Sequence, residues 1–388
     1  MLLLMQLGWA AEVRLELDDA VQRAWEQHAD VLAQQARLDA AQAAVAPERA
    51  PDDPQFRGRM ENVGSRTDAP QWTLRLRQQI EPIGAIRARV RAARAEAGSE
   101  AADLELLRSA VFDEVAAVFD AARFLEAAEA LVSAERDACD AWIGIAQKRR
   151  DAGVGAADDV LEAQLARVSA VRRLVGVQRD GAAARAELGA LVGLEPGDTL
   201  VLDGPDLADW VLEPPTRGES GEGSAEVERI RARVAEEEAL RAQVAAEHRP
   251  WLDFVEGQVV LESGRVPSFG IAVAASLPVF SLTDGAVSAA DARIQARRVE
   301  LDAVARAEAS RREASRAAHA AAVAAVRSLS EVVEEASAAL EAEREGLTPD
   351  RYWELAADVA RERQELLEVQ LDAAVAKRAV ERGLPTAR

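Results

Sequence analysis

One helical pattern without proline extends over residues 84–150, and it constrains the fold more than any other feature of the chain. At 1.5 Å per residue, a helix of this length spans about 100 Å, which is too long for an ordinary globular core. Such a helix must lie along a partner of similar length, and a second long run at 285–345 supplies one. Apolar residues recur along the first run at intervals of three, four and seven, as in a heptad-like seam: Leu104, Leu107, Val111, Val115, Val118, Ala122, Leu125 and Val132.

The composition favours long solvated helices over a thick globular core. Hydrophobic residues make up 49% of the chain but aromatic residues only 4%, so that alanine supplies much of the apolar surface. Alanine is the strongest helix former and lets helices approach closely. The net charge of −21 argues against a nucleic-acid partner and against a peripheral protein held on anionic lipid by its charge.

No pattern in the chain predicts catalysis, a metal site or a cofactor. Cys139 is the only cysteine, and the three histidines are scattered over separate helical stretches without metal-ligand spacing. Carboxylates are plentiful, but none is paired with a His or Cys in a catalytic arrangement, and no Gly-rich phosphate loop occurs. We therefore do not expect an enzyme.

The first eleven residues, MLLLMQLGWAA, are similar to the end of a secretory signal, although a positively charged start is missing. Residues 1–11 are interpreted as a signal remnant, with native structure as the alternative. No run of 18 apolar residues occurs, so we expect no transmembrane helix.

Two strand-like runs, 55–63 and 71–80, precede the first long helix. In the second run Trp72, Leu74 and Leu76 alternate with Thr73, Arg75 and Arg77, which gives one apolar and one charged face. Two interpretations are open at this point. In a soluble hairpin the charged face meets water, whereas in a membrane barrel the apolar face meets lipid and Arg75 and Arg77 line the lumen. Trp72 and Trp251 stand at strand ends, as in an aromatic girdle or in the core under a soluble sheet.

The same order of elements occurs twice, which predicts two structural repeats, 12–193 and 224–388, joined by an irregular linker at 194–223. Equivalent breaks lie roughly 200 residues apart: Pro47 and Pro250, Pro82 and Pro278, Gly153 and Gly346. The first repeat contains helix 17–45, the two strands, helix 84–150 and return helix 157–191. The second contains helix 225–247, strands 251–262 and 268–280, helix 285–345 and return helix 350–382.

Each half therefore holds two strands of about ten residues, the length that crosses a bilayer as a tilted strand. Four strands cannot close a barrel, and open edges in lipid leave backbone groups unsatisfied. If the strands span a membrane, other copies of the chain must complete the barrel, and three copies supply twelve strands. The predicted fold class is mainly α with β-hairpins: long antiparallel helical hairpins plus four transmembrane strands per chain, completed in a trimer.

Four motifs carry a resemblance to the TolC-type outer-membrane efflux duct family. The start, LELDDAV at 15–21 through Trp25, resembles the family's opening helix, with His28-Ala29 where Asn-Pro is usual. The strand exit QIEPIGAIRAR at 79–89 is similar to a segment that carries a Gly-Gly-Lys-Arg run, from which Ile83 and Ala85 depart. DAGVGAADDVL at 151–161 resembles the hairpin-tip signature. LPVF at 277–280, followed by Asp284-Gly285, looks like the second strand exit.

The resemblance covers nearly the whole chain and implies an exit duct rather than an enzyme. It implies a homotrimer in the outer membrane of a Gram-negative bacterium, in contact with outer-membrane lipid and extending into the periplasm. It also implies two partners, a periplasmic adaptor (membrane fusion protein) and an inner-membrane pump of the RND or ABC type, in a tripartite efflux or type I secretion system. The duct conducts substrate passively and needs no cofactor.

The resemblance also assigns roles to the two helical turns. The periplasmic aperture and its gating would involve Asp151, Asp158, Asp159, Asp350, Arg351 and Tyr352, and the adaptor would dock on Gly153, Val154, Gly155, Gly346, Leu347 and Thr348. Threefold rings of carboxylates favour cations. The plainer interpretation is that Asp158, Asp159 and Asp350 stabilise helix N-termini and that Arg351 and Tyr352 lie on an ordinary surface.

A soluble, acidic coiled-coil scaffold without channel activity is the alternative function. It accounts for the long helices and the negative charge. It does not account for four strand-like runs at equivalent places in two repeats.

Overall fold

The computed structural model describes residues 12–63, 70–82, 84–195, 198–205, 207–215, 224–247, 251–262, 265–276 and 283–382. The signal-like stretch 1–11 and the second strand exit 277–280 lie outside these residues. The first half contains β1 (Glu12–Leu15), α1 (Leu17–Gln27), α2 (Ala29–Ala44), β2 (Gln55–Glu61), β3 (Gln71–Gln79), α3 (Ala85–Asp151) and α4 (Ala157–Leu191). The second contains β4 (Thr199–Leu202), α5 (Leu207–Leu212), α6 (Ala225–Glu247), β5 (Trp251–Glu262), β6 (Ser268–Ser276), α7 (Thr283–Ala342) and α8 (Pro349–Arg382).

The predicted fold class is confirmed, since long helices dominate and four strands form one sheet. The sheet order is β2-β3-β5-β6, and every neighbouring pair is antiparallel. One hairpin comes from each half of the chain, and the inner strands β3 and β5 join the two hairpins. A bulge between Leu252 and Phe254 interrupts the pairing of β5 with β6. Both outer strands, β2 and β6, have one edge without a partner among the described residues.

The heptad-like seam of α3 packs as its spacing predicts. Five of its eight residues are buried and the other three, Leu107, Val118 and Leu125, are half-buried. Polar contacts pair α3 with α4 as antiparallel neighbours: Arg173 donates to Glu135, and Gln178 Nε2 donates to Glu129 Oε1 at 2.9 Å. Within the described part of the chain, no helix combines the length and apolarity needed to cross a membrane.

The chain divides into two compact units. Among the described residues, one unit contains those within 12–32, 107–224 and 307–382, and includes both helical turns. The other contains 33–106 and 225–306, and includes the four-stranded sheet. In this second unit, ion pairs link the helices: Arg233 contacts Asp103 at 2.9 Å, and Arg241 contacts Asp291 at 2.6 Å.

The segment 194–223 is not the irregular linker that its composition predicts. Its described part contains β4, which pairs in parallel with β1, and α5, which buries Leu207 and Val211. Lys377 of α8 is 1% exposed and donates to the carbonyl of Trp210 in α5 at 2.5 Å. Elements of four and six residues are too short for a periodic pattern to reveal, so tertiary contacts decide their structure.

The helix predicted over 17–45 is divided in two. His28 has an extended backbone (φ −66°, ψ 118°), so α1 ends at Gln27 and α2 begins at Ala29. The His28 N–H still donates to Ala24 O at 2.8 Å, which completes the last turn of α1. Without a proline or glycine at the break, residue propensities gave no signal for it.

Candidate functional site

The sheet has one face built almost entirely of apolar side chains. Residues directly opposite each other on neighbouring strands share a face, so that the register aligns Phe56 with Leu76 and Val259 with Phe269. Many of these side chains are exposed, with Phe269 80% and Ile271 82% accessible. A water-facing sheet would not present such a surface, because contiguous exposed apolar patches mark contact with lipid or protein. The face contains Phe56, Met60, Trp72, Leu74, Leu76, Val255, Val259, Leu261, Phe269, Ile271 and Val273.

The opposite face of the same sheet is charged. It carries Arg75 and Arg77, as the alternation in β3 predicts, and Glu256, which lies 3.8 Å from Arg75. The Arg77 guanidinium lies 3.5 Å from the centroid of the Phe254 ring, which is a cation–π contact. Successive side chains of a strand point to opposite faces, so the sequence of each strand encodes its own two faces. The register then aligns the faces of neighbouring strands.

The charged face contains two further arginines of β2, Arg57 and Arg59, which were not predicted from the sequence to lie there. Arg57 lies opposite Arg75, and Arg59 lies opposite Thr73 and contacts Glu61 at 2.8 Å. The signal was present, because Phe56, Gly58 and Met60 alternate with Gln55 and the two arginines. Only the register, however, places Arg57 beside Arg75.

The tryptophans at the strand ends are partly described. Trp72 belongs to the apolar face, opposite Met60 and Leu261, and is 47% exposed. This position fits an interfacial aromatic better than a residue in a soluble core. The side chain of Trp251 lies outside the described part of the structure.

The first helical turn, between α3 and α4, depends on backbone geometry. Gly153 has φ +77°, a left-handed conformation that favours glycine. A Cβ on Gly155 would lie 3.0 Å from Arg149 Cβ and from Arg150 N, so only glycine fits without movement. The amides of Val154 and Gly155 both donate to Arg149 O, at 3.0 and 3.1 Å, which satisfies the end of α3.

The carboxylates of the first turn have different surroundings. Asp159 Oδ2 accepts from the Ala156 N–H at 3.1 Å, so this side chain caps α4. Asp158 is exposed on the first turn of α4. Asp151 is exposed at the end of α3 and lies 3.5 Å from Arg150. Val154 is 70% exposed, so the turn presents an apolar tip flanked by carboxylates.

The second turn, between α7 and α8, depends on side-chain contacts. Tyr352 Oη donates to Glu341 Oε2 at 3.4 Å, and the Arg344 guanidinium lies 5.6 Å from the Tyr352 ring centroid. Arg351 makes a local ion pair with Glu354 at 2.6 Å. Gly346 has an ordinary φ, and a Cβ there would lie 3.5 Å from Glu343 O, so the geometry of this turn does not require glycine. Leu347 is half-buried and Thr348 is exposed, while the side chain of Asp350 lies outside the described part.

Cys139 is buried and His319 is half-buried. No group of three or more His, Cys, Asp or Glu among them could hold a metal ion. Cys139 is buried, and its burial raises the pKa of the thiol, which disfavours the nucleophilic thiolate. His319 packs near Lys377, and burial is the main cause that lowers its pKa.

Comparisons with known proteins agree with this geometry. Residues 20–194 match the family described as outer membrane efflux protein. No curated protein sequence matches the chain.

Solved structures with a similar fold cover almost the whole chain. The CusC structure, described as a transmembrane channel, has a TM-score of 0.75 at 12% identity and covers 97% of this chain and 95% of its own. The outer membrane protein VceC of Vibrio cholerae has a TM-score of 0.70 at 18% identity and covers 96% of both chains. The open MtrE outer membrane channel of Neisseria gonorrhoeae has a TM-score of 0.69 at 16% identity and covers 95% of this chain and 88% of its own. Residues 20–194 are thus similar to the outer membrane efflux protein family, and the sheet and long helices of the whole chain have the fold of these channels.

Proposed function

We propose that the protein is the outer-membrane exit duct of a tripartite efflux or type I secretion system. Substrate passes through it passively, from a complex of pump and adaptor to the exterior. Three copies of the chain form the duct. The family is one of ducts rather than enzymes, and the work of transport is done by the partner pump.

The observation that carries this proposal is a two-faced sheet with two unpaired edges. Within the described residues β2 pairs only with β3, and β6 pairs only with β5. In hydrocarbon, an open edge leaves backbone N–H and C=O groups without hydrogen bonds. Pairing β6 of one copy with β2 of the next removes both edges, and three copies close a barrel of 12 strands. The apolar face then meets lipid, and the charged face with Arg75 and Arg77 lines the lumen.

The helical turns suit the periplasmic end of such a duct. We assign adaptor docking to Gly153, Val154 and Gly155 of the first turn and to Gly346, Leu347 and Thr348 of the second. The exposed Val154 supports this assignment, because an apolar residue at a tip gains from being covered by a partner. The adaptor in turn connects the duct to an inner-membrane pump of the RND or ABC type.

We assign the aperture to carboxylates of the same turns. Asp151 and Asp158 are exposed, so three copies can present them as anionic rings that favour cations. Asp159 stabilises the start of α4 through its contact with Ala156, which makes it a weaker candidate for the ring. We assign Asp350, Arg351 and Tyr352 of the second turn to the aperture and its gating as well.

The proposal is tested by a pair of substitutions at neighbouring positions of β6 that face opposite ways. Ile271 belongs to the apolar face and Ala272 to the charged face, where it lies opposite Glu256. A lysine on the lipid side of a barrel costs about 2–4 kcal/mol near the bilayer midplane. Ile271→Lys is therefore expected to abolish the heat-sensitive trimer in outer-membrane extracts and the conductance of the purified protein in planar bilayers.

Ala272→Lys serves as the matched control, because it adds the same charge one residue away. It is expected to retain both the trimer and the conductance. Equal tolerance of the two lysines, together with a protein that is monodisperse without detergent, would contradict the duct and favour the soluble scaffold.

A further inference from the structure

The register of the sheet brings two arginines face to face. Arg57 of β2 lies directly opposite Arg75 of β3, and Arg77 lies two residues further along the same strand and face. Like charges at opposite positions of a sheet are destabilising. Three guanidinium groups thus share one small area of a chain whose net charge is −21.

The carboxylates on this face do not neutralise all of its arginines. Glu61 lies 2.8 Å from Arg59, Glu256 lies 3.8 Å from Arg75, and Glu262 lies 2.9 Å from Arg265 in the adjoining turn. Glu256 lies opposite Arg77 in the register but makes its ion pair with Arg75, and among the described residues neither Arg57 nor Arg77 has a carboxylate within ion-pair distance. Stacking on Phe254 holds the Arg77 guanidinium and leaves its edge available for hydrogen bonds.

Closing the barrel would not supply the missing carboxylate. A neighbouring copy would place its β6 beside β2, and every described position on the charged face of β6 is small and uncharged. Because these side chains are short, they leave room beside Arg57 for a solute. The positions are Ser268, Gly270, Ala272 and Ala274.

We propose that Arg57 and Arg77, beside the paired Arg75, form an anion-binding ring in the barrel and that the duct favours carboxylate or phosphate solutes there. This inference rests on the proposed function, in which the charged face lines the lumen. Arginine presents a planar fork that matches a carboxylate or phosphate, so the ring binds such groups better than it binds chloride. The barrel then favours anionic solutes, whereas the carboxylate-rich turns favour cations.

The test replaces the two arginines that have no carboxylate partner, in Arg57→Gln/Arg77→Gln, and leaves the contact of Arg75 with Glu256 intact. Wild type and variant are reconstituted in planar bilayers of phosphatidylcholine under a tenfold KCl gradient. The chloride-to-potassium permeability ratio is expected to fall about fivefold in the variant, because each charge acts on a passing ion across a few ångströms of water. The difference should be clear near 0.1 M salt and should shrink near 1 M, where the Debye length is only about 3 Å.

A second measurement does not depend on conduction. Citrate is expected to raise the temperature at which the detergent-solubilised wild-type trimer dissociates, and this shift should be lost in the variant. The matched control is Arg59→Gln/Glu61→Gln, which removes one charge of each sign from the same strand and face. It should keep the citrate shift and change the permeability ratio less than about twofold.

The outcomes separate this inference from the function on which it rests. If the variant conducts with the same ion selectivity and the same citrate shift as the wild type, the proposed duct stands and the proposed anion-binding ring is contradicted. If the protein does not conduct, but citrate stabilises the wild type and not the variant, the anion site stands and the proposed duct is contradicted.

Discussion

The two helical turns occupy equivalent places in the two repeats, yet they are stabilised differently. In both, one carbonyl accepts two amides: Arg149 O accepts from residues 154 and 155, and Glu343 O accepts from residues 346 and 347. In the first turn, glycine is required by a positive φ at 153 and by close backbone contact at 155. In the second, the backbone is ordinary, and Tyr352, Glu341 and Arg344 contact one another through their side chains.

This difference indicates which turn tolerates change. A turn set by backbone geometry has a single solution, because any side chain at the crowded position meets main-chain atoms. A turn set by exposed side chains holds through several weak contacts, each of which contributes little alone. The first turn should therefore be the more rigid and the more easily broken by a single methyl group.

The largest expected effect is that of Gly155→Ala. The added Cβ would lie 3.0 Å from Arg149 Cβ and Arg150 N, and relieving such overpacking costs about 1–3 kcal/mol. Amide hydrogen exchange at the end of α3 and in the first turn should become roughly tenfold faster or more. Gly346→Ala is the matched control. Alanine lowers the conformational entropy of the unfolded chain, so this variant should be as stable as the wild type or more stable by about 0.4–1 kcal/mol. If both variants exchange alike, backbone geometry does not distinguish the turns.

A smaller effect is expected for Asp159→Ala. The substitution removes the acceptor for the Ala156 N–H and should cost the start of α4 about 1 kcal/mol. Faster exchange at residues 156–160, measured by mass spectrometry, should reveal the loss. Asp158→Ala is the control, because its exposed carboxylate has no such role in the described structure. An equal effect of both substitutions would mean that charge at the helix start matters and that the specific hydrogen bond does not.

The smallest effect is expected for Tyr352→Phe. The hydroxyl contact with Glu341 is long, at 3.4 Å, and exposed, so its loss should change the stability of the second turn by less than about 0.5 kcal/mol. The ring remains beside Arg344 and in edge contact with Trp353. Exchange rates over residues 343–352 should therefore be nearly unchanged. A tenfold acceleration would show that this hydroxyl supports the turn much more strongly than its geometry suggests.

The elements with a long periodic pattern could be predicted from the sequence. The seam from Leu104 to Val132 and the alternation of Trp72 with Arg75 and Arg77 each extend over enough residues to identify a helix or a two-faced strand. Short or contact-dependent features could not be predicted. They include the break at His28 and the strand β4 and helix α5 of the segment 194–223.

By itself, the sequence determined the repeat, the long helices and the presence of strands with one apolar and one charged face, because these depend on residue spacing along the chain. The tertiary structure alone decided which strands pair. It joined β3 to β5, left β2 and β6 as edges, and set Arg57 opposite Arg75. The physical reason is that pairing depends on contacts between residues distant in the chain, and a change of register by one residue would reverse the faces.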